Sequence, residues 1–126
     1  MSDNLRLRTA LALGWKHRPD LDVSGVAQWW KHGDSGRFAR VVLEPDRTAV
    51  IDTMPRYGQD WASCGEVDAA IRERGWQWES QNIHDEIGVM IYKGLLNATI
   101  ATAPTFPAAF AEAFCKAVER GHADQQ

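Results

Sequence analysis

The side chains of this sequence that could do chemistry are few and scattered. Histidines stand at positions 17, 32, 84 and 122, and cysteines at 64 and 115. No two histidines have the i, i+4 spacing that puts both imidazoles on one helix face. No His-Glu-x-x-His run occurs, and neither cysteine has a Cys-x-x-Cys partner. A metal site would need convergence of distant segments. His84-Asp85-Glu86 reads as a solvated turn, with no pocket to make it an acid–base group. Ser24-Gly25 and Ser35-Gly36 lack the Gly-x-Ser-x-Gly frame of a nucleophile elbow. Gly33-Asp34-Ser35-Gly36 is too short for a phosphate loop, which should open a helix, and reads as a hairpin turn. No catalytic group, cofactor or metal is expected.

Aromatic side chains are what the chain has in surplus, with six tryptophans in 126 residues. Trp15, Trp76 and Trp78 fit core positions. Trp29 and Trp30 are adjacent, so an extended chain points them to opposite faces, and one of them is expected to be exposed or half-covered. Their neighbours are Gln28, Lys31 and His32. Such a segment suits packing of a loop, a protein-binding hot spot, or base stacking on single-stranded nucleic acid. A second group lies in Pro55-Arg56-Tyr57-Gly58-Gln59-Asp60-Trp61. There Tyr57 and Trp61 read as plugs at a sheet edge and Asp60 as a helix cap, while packing does not explain Arg56. The partner-binding candidates are therefore Trp29, Trp30, Lys31, His32, Arg56 and Tyr57.

Composition bounds the class of function. The charge count is 14 basic and 17 acidic side chains, a net of −3, with +2 in residues 1–48 and −5 in residues 49–126. No basic cluster forms a phosphate-binding footprint, so nucleic acid is disfavoured as a partner. The length suits one domain, 1–126, able to fold without disulfides or metal. Cys64 and Cys115 read as reduced core thiols of a cytoplasmic protein. No secretory signal is visible, and no run approaches the ~18 apolar residues that span a membrane.

The elements that must position these residues follow from periodicity. Leu5 to Leu13 reads as a helix with Leu7, Ala10 and Leu11 on one face, ended by Gly14 at the left-handed position with Trp15 behind it. Charged Lys16, His17 and Arg18 lead to Pro19. Asp22 to Gly25 reads as a turn, Val26 to Lys31 as a strand or anchored loop, and Arg37 to Glu44 as a strand, giving a hairpin across residues 32–36. Pro45-Asp46 ends it, and Ala49 to Ile51 reads as a further short strand. The second helix begins after Asp60 at Trp61, or after Ser63, where Ser63-Cys64-Gly65-Glu66 has capping-box spacing. Gly65 early in that helix costs up to ~1 kcal/mol relative to alanine. Cys64, Val67, Ala70 and Ile71 make its apolar stripe, and Gly75 closes it. Trp76 to Ser80, Ile87 to Tyr92 and a strand from Leu96 form an antiparallel meander, turned at Asn82 to Glu86 and at Gly94. Thr105 caps a last helix whose Phe106, Phe110, Phe114 and Val118 recur every four residues, with alanines beside them. Gly121 is expected to end it, leaving 122–126 as a frayed polar tail. The order predicts an α+β protein, a helix–sheet–helix layered sandwich of three helices and a mainly antiparallel sheet.

From about Leu11 to about Glu119 the chain resembles the phage ABA-sandwich domain family. The resemblance rests on Leu13-Gly14-Trp15, on Pro55, Tyr57, Asp60 and Trp61, on the Trp76 to Tyr92 strands, and on the alanine-rich helix from Ala108 to Ala117. Gly58-Gln59 stands where the family has Ser-Thr or Ser-Gln, and Ser63-Cys64-Gly65 replaces a more helix-prone start. The resemblance implies a helix–sheet–helix sandwich of phage or prophage origin and no reaction. A non-enzymatic protein that binds a host or phage protein is expected, one version being inhibition of a host defence system such as a CRISPR effector. The alternatives are a small-molecule or nucleotide binder, or a minor enzyme acting on one, and a virion assembly component. Oligomeric state is not legible.

Overall fold

The computed structural model describes residues 2–22, 26–33, 35–43, 52–93 and 96–124. In chain order the elements are α1 (Ser2–Ala12), β1 (Trp15–His17), a short 3-10 helix (Pro19–Leu21), β2 (Ala27–His32) and β3 (Phe38–Val42). There follow α2 (Cys64–Glu73), β4 (Gln77–Ile83), β5 (Glu86–Lys93), β6 (Leu96–Ala103) and α3 (Phe106–Asp124). The protein is α+β, with three α-helices among the described residues and every strand pairing antiparallel. No helix among those residues is long and apolar enough to cross a membrane. The strands form two sheets rather than one, in the orders β1-β2-β3 and β4-β5-β6. Contacts divide the chain into two units, Met1–Leu13 with Arg56–Gln126, and Gly14–Pro55.

The first unit is built on α3. Phe110, Phe114, Ala109 and Ala113 are fully buried, as their spacing predicts, and α3 packs across β5 and β6, whose Val89, Ile91 and Ala101 are buried. Burying one phenylalanine contributes ~1.5–3 kcal/mol, so this stripe supplies much of the unit's stability. The helix continues past Gly121 to Asp124 instead of stopping there. Glycine permits a left-handed helix end but does not compel one.

Helix α1 packs against α3 through only part of the expected face. Leu11 is 56% exposed, while Arg6, Thr9 and Ala10 are buried. Small residues let the helices approach closely. The Thr9 hydroxyl lies 2.8 Å from Leu5 O, to which it donates, and 3.4 Å from Cys115 Sγ. At the rim of this contact Arg8 reaches Glu112 at 2.8 Å and Glu119 at 3.1 Å. A short helix with only three leucines in mixed company has weak amphipathicity, so its partner selected the buried face.

The turn before α2 is a knot of hydrogen bonds. Ser63 occupies the N-cap position and α2 starts at Cys64, the later of the two expected starts. Ser63 makes no side-chain cap, because its hydroxyl donates to Arg56 O and Asp60 O. The Asp60 carboxylate accepts from Ser63 N–H at 3.0 Å. It therefore closes the turn 61–63 rather than the helix itself. Gly58 in this turn has φ +81°, and a Cβ there would lie 2.9 Å from Leu5 Cδ2. Trp78 of β4 donates its indole N–H to Asp68 of α2 at 2.8 Å, and Arg72 pairs with the same carboxylate.

The β4–β5 turn is tighter than expected. Ile83 pairs with Glu86, leaving only His84 and Asp85 as the loop, with His84 at φ 57°. In the second unit the three residues of β1, expected only as a charged lead, pair with β2. A three-residue strand has no periodicity to detect and exists only through its partner. The β2–β3 hairpin is as expected. The outer edge of β3 is satisfied by Thr53 Oγ1, which accepts from Arg40 N–H, and by Asp52, which accepts from Val42 N–H. Of the expected turn from Asp22 to Gly25 only Asp22 is among the described residues, and the break at Pro45-Asp46, the strand Ala49 to Ile51 and the turn at Gly94 lie outside them.

Two outcomes follow. Gly58→Ala lowers unfolding free energy by about 2 kcal/mol, because the left-handed backbone and the Leu5 contact both oppose a methyl group. Gly65→Ala, with open space around its Cβ position, raises it by about 0.5–1 kcal/mol. Urea unfolding midpoints measure both. The Asp68 carboxyl is held below the ordinary range by the Trp78 hydrogen bond, opposed by burial and aided by Arg72. That stabilisation is present above the unfolded-state pKa and is lost as pH falls through the folded one. The stability difference between the natural chain and Trp78→Phe should therefore narrow as pH drops below about 4.

Candidate functional site

Strand pairing sorts the second unit's side chains onto two faces. Directly opposed residues share a face, so Lys16, Lys31 and Phe38 form one row and Trp29 with Arg40 the next. Trp15, His17, Trp30, His32 and Ala39 lie on the other face by the same alternation. That second face is the packed one. Trp15 and Trp30 are buried, His17 stacks on Trp30 with centroids 5.3 Å apart, and Trp15 meets His32 edge-on at the same distance. His17 Nε2 lies 2.7 Å from Asp22 Oδ2, whose other oxygen accepts from Trp29 N–H, and His32 Nδ1 accepts from Ser35 N–H. These histidines organise the sheet and its turn.

The first face is open to solvent. Phe38 is 49% exposed, Lys16 is exposed, and Trp29, Lys31 and Arg40 are half-buried. The Arg40 guanidinium lies over the Trp29 ring at 5.3 Å, the Lys31 ammonium over Phe38 at 5.6 Å, and the two rings meet edge-on at 6.3 Å. Each cation–π contact contributes about 0.5–1 kcal/mol at an exposed site. The three strands carry no acidic residue. Lys16 and Lys31 stand opposite one another, a placement of like charges that weakens a sheet. The arrangement offers two aromatic surfaces set among three cations.

The expected site is thus split. Trp29 and Lys31 belong to the open face, but Trp30 is 5% exposed and His32 shares its side of the sheet. Arg56 is exposed in the other unit. Tyr57 is fully buried and donates its hydroxyl to Glu66 at 2.7 Å, so it offers no surface to a partner. Trp61, expected as a buried plug, is 69% exposed. The residues missed from sequence are Lys16, Phe38 and Arg40. Their signal was the hairpin register, which sets Phe38 opposite Lys31.

Cys115 is buried and Cys64 half-buried, and burial pushes both thiols up, away from the reactive thiolate. Among the described residues no three His, Cys, Asp or Glu side chains are grouped to hold a metal ion. No family model, curated protein or solved structure matches the chain.

The opposed lysines make a stability prediction. Lys16→Glu turns a like-charge pair into an opposite one and should raise unfolding free energy by about 0.5 kcal/mol at low salt. The gain should fade as salt screens the pair, which denaturant titrations at two ionic strengths measure.

Proposed function

We propose that this chain is a small phage- or prophage-encoded binding protein that acts by contact with a host or phage protein in the bacterial cytoplasm. The observation that carries the reading is the open β1–β3 face, where Lys16 and Lys31 oppose one another beside Trp29, Phe38 and Arg40. A face that keeps like charges together at a cost in stability suits an anionic partner surface, which relieves the repulsion on binding. Rigid aromatics at its centre supply the apolar contact area that dominates interface energies. The family resemblance supplies the phage setting. Occlusion of a host defence component, including a CRISPR effector, is the version that needs only a surface and no reaction.

The same face supports a second reading, single-stranded nucleic acid, since bases stack on exposed aromatics while lysine and arginine track phosphates. The chain's net charge of −3 weighs against this, because long-range repulsion opposes approach of a polyanion.

The test is affinity capture from bacterial lysate at two salt concentrations, using the natural chain, Trp29→Ala and Arg40→Glu, beside anisotropy with a labelled oligothymidylate. A protein retained by the natural chain, and held at least about tenfold less tightly by each variant, supports the reading. Oligothymidylate binding that is steeply salt-dependent and lost in both variants moves the assignment to nucleic acid. Retention of no protein, or equal retention by the variants, removes the face from consideration.

A further inference from the structure

A second surface, in the unit built on α3, has different chemistry and does not depend on the reading above. Trp61 lies parallel to Phe106, with centroids 5.0 Å apart and planes at 10°. Phe106 in turn touches Trp78 at 5.5 Å and Phe110 at 5.0 Å. One face of the Trp61 ring is therefore supported by rings that run into the core. The side chain as a whole is nevertheless 69% exposed. Beside it opens a groove of about 570 Å³, whose apolar wall is Trp61, Phe106, Pro104, Pro107 and Ile87. Its polar side is Ser80, Gln81, Asn82 and Thr105.

We propose that this groove binds a neutral sugar ring, with Trp61 as the stacking platform. Three observations select that ligand. None of the groove's lining residues carries a charge, so neither an anion nor a cation finds a counter-charge there. Alternation along β4 puts Ser80 and Asn82 on the same side as Trp78 and Ile87, and Gln81 on the other. The polar side therefore offers the Asn82 amide and the Ser80 and Thr105 hydroxyls, each able to donate and to accept. Sugar hydroxyls also donate and accept, so they can satisfy both the carbonyl and the N–H groups of that amide. A purely apolar ligand would leave the amide desolvated and unpaired, which costs free energy. A proline-rich peptide also stacks on tryptophan. Its prolyl backbone presents only acceptors, however, and leaves the Asn82 carbonyl unmatched. The volume lies within the range of small-ligand sites, and a supported aromatic ring with its outer face in water matches the apolar C–H face of a pyranose.

The test uses the whole chain and an array of neutral α- and β-linked hexose and N-acetylhexosamine oligomers, with a proline-rich decapeptide as the competing probe. Indole N–H resonances are followed by NMR. At least one neutral glycan should shift the Trp61 resonance, assigned by its absence from Trp61→Ala. That variant should bind at least about tenfold more weakly, Trp61→Phe should retain part of the affinity, and Asn82→Ala should weaken it severalfold. Trp29→Ala should leave it unchanged. Trp61 is mostly exposed, and a folded spectrum for Trp61→Ala establishes that its loss of binding is local. The proposal is overturned if no neutral glycan moves the Trp61 resonance, if glycan binding survives Trp61→Ala, or if only the peptide binds.

Discussion

Dehydration of the α3 phenylalanine stripe is the contact on which the larger unit depends. Phe110 and Phe114 lie over β5 and β6, and the alanines between them let the helix sit close. That proximity fixes which groups can meet around the helix. On one flank, Cys115 presents a small surface and Thr9 of α1 closes onto it. At the N-terminal end, Phe106 is left partly uncovered, and Trp78 and Trp61 gather on it. The tie from Trp78 to Asp68 then couples β4 to α2. A single apolar stripe thus sets the position of α1, the anchoring of α2 and the exposure of one tryptophan.

The second unit solves a different problem. A three-stranded sheet needs one dry face, and here that face is made from indole and imidazole rings instead of aliphatic chains. Trp15, Trp30, His17 and His32 interleave, and the histidines keep their polar atoms paired at the rim through Asp22 and Ser35. With the large rings inside, the opposite face is left with lysine, arginine and two further aromatics. Period-two alternation separates the two roles residue by residue. Trp29 and Trp30 are adjacent in sequence, and one is available to a partner while the other is not.

Much of the fold was legible because its signals are local and redundant. The four-residue repeat in α3, the Val67–Ala70–Ile71 stripe of α2 and the meander from Gln77 to Ala103 each state their own period several times over. The candidate site was legible only in part. Adjacency suggested that Trp29 or Trp30 would be exposed, but choosing between them requires knowing which side of the sheet is dry. Tyr57 and Trp61 were read as similar plugs, yet one is enclosed with its hydroxyl on Glu66 and the other lies in the open on Phe106. Nothing in the local pattern distinguishes them, since each is a single aromatic in a turn.

By itself the sequence determined element type, approximate bounds and the buried faces of the two strongly amphipathic helices, because backbone preference and side-chain period act over a few residues. It also placed the late start of α2 among two alternatives, through Ser63 and the cost of Gly65. Tertiary structure decided what depends on distant partners. It pairs β1 into a sheet, buries Arg6 and Thr9 of α1 in preference to Leu11, and divides the strands into two sheets. It also gathers Lys16, Lys31, Phe38 and Arg40 around Trp29, and leaves Trp61 beside a neutral groove. Each of these depends on which surfaces lose water together, a quantity set by packing between segments far apart in the chain and not by any one of them alone.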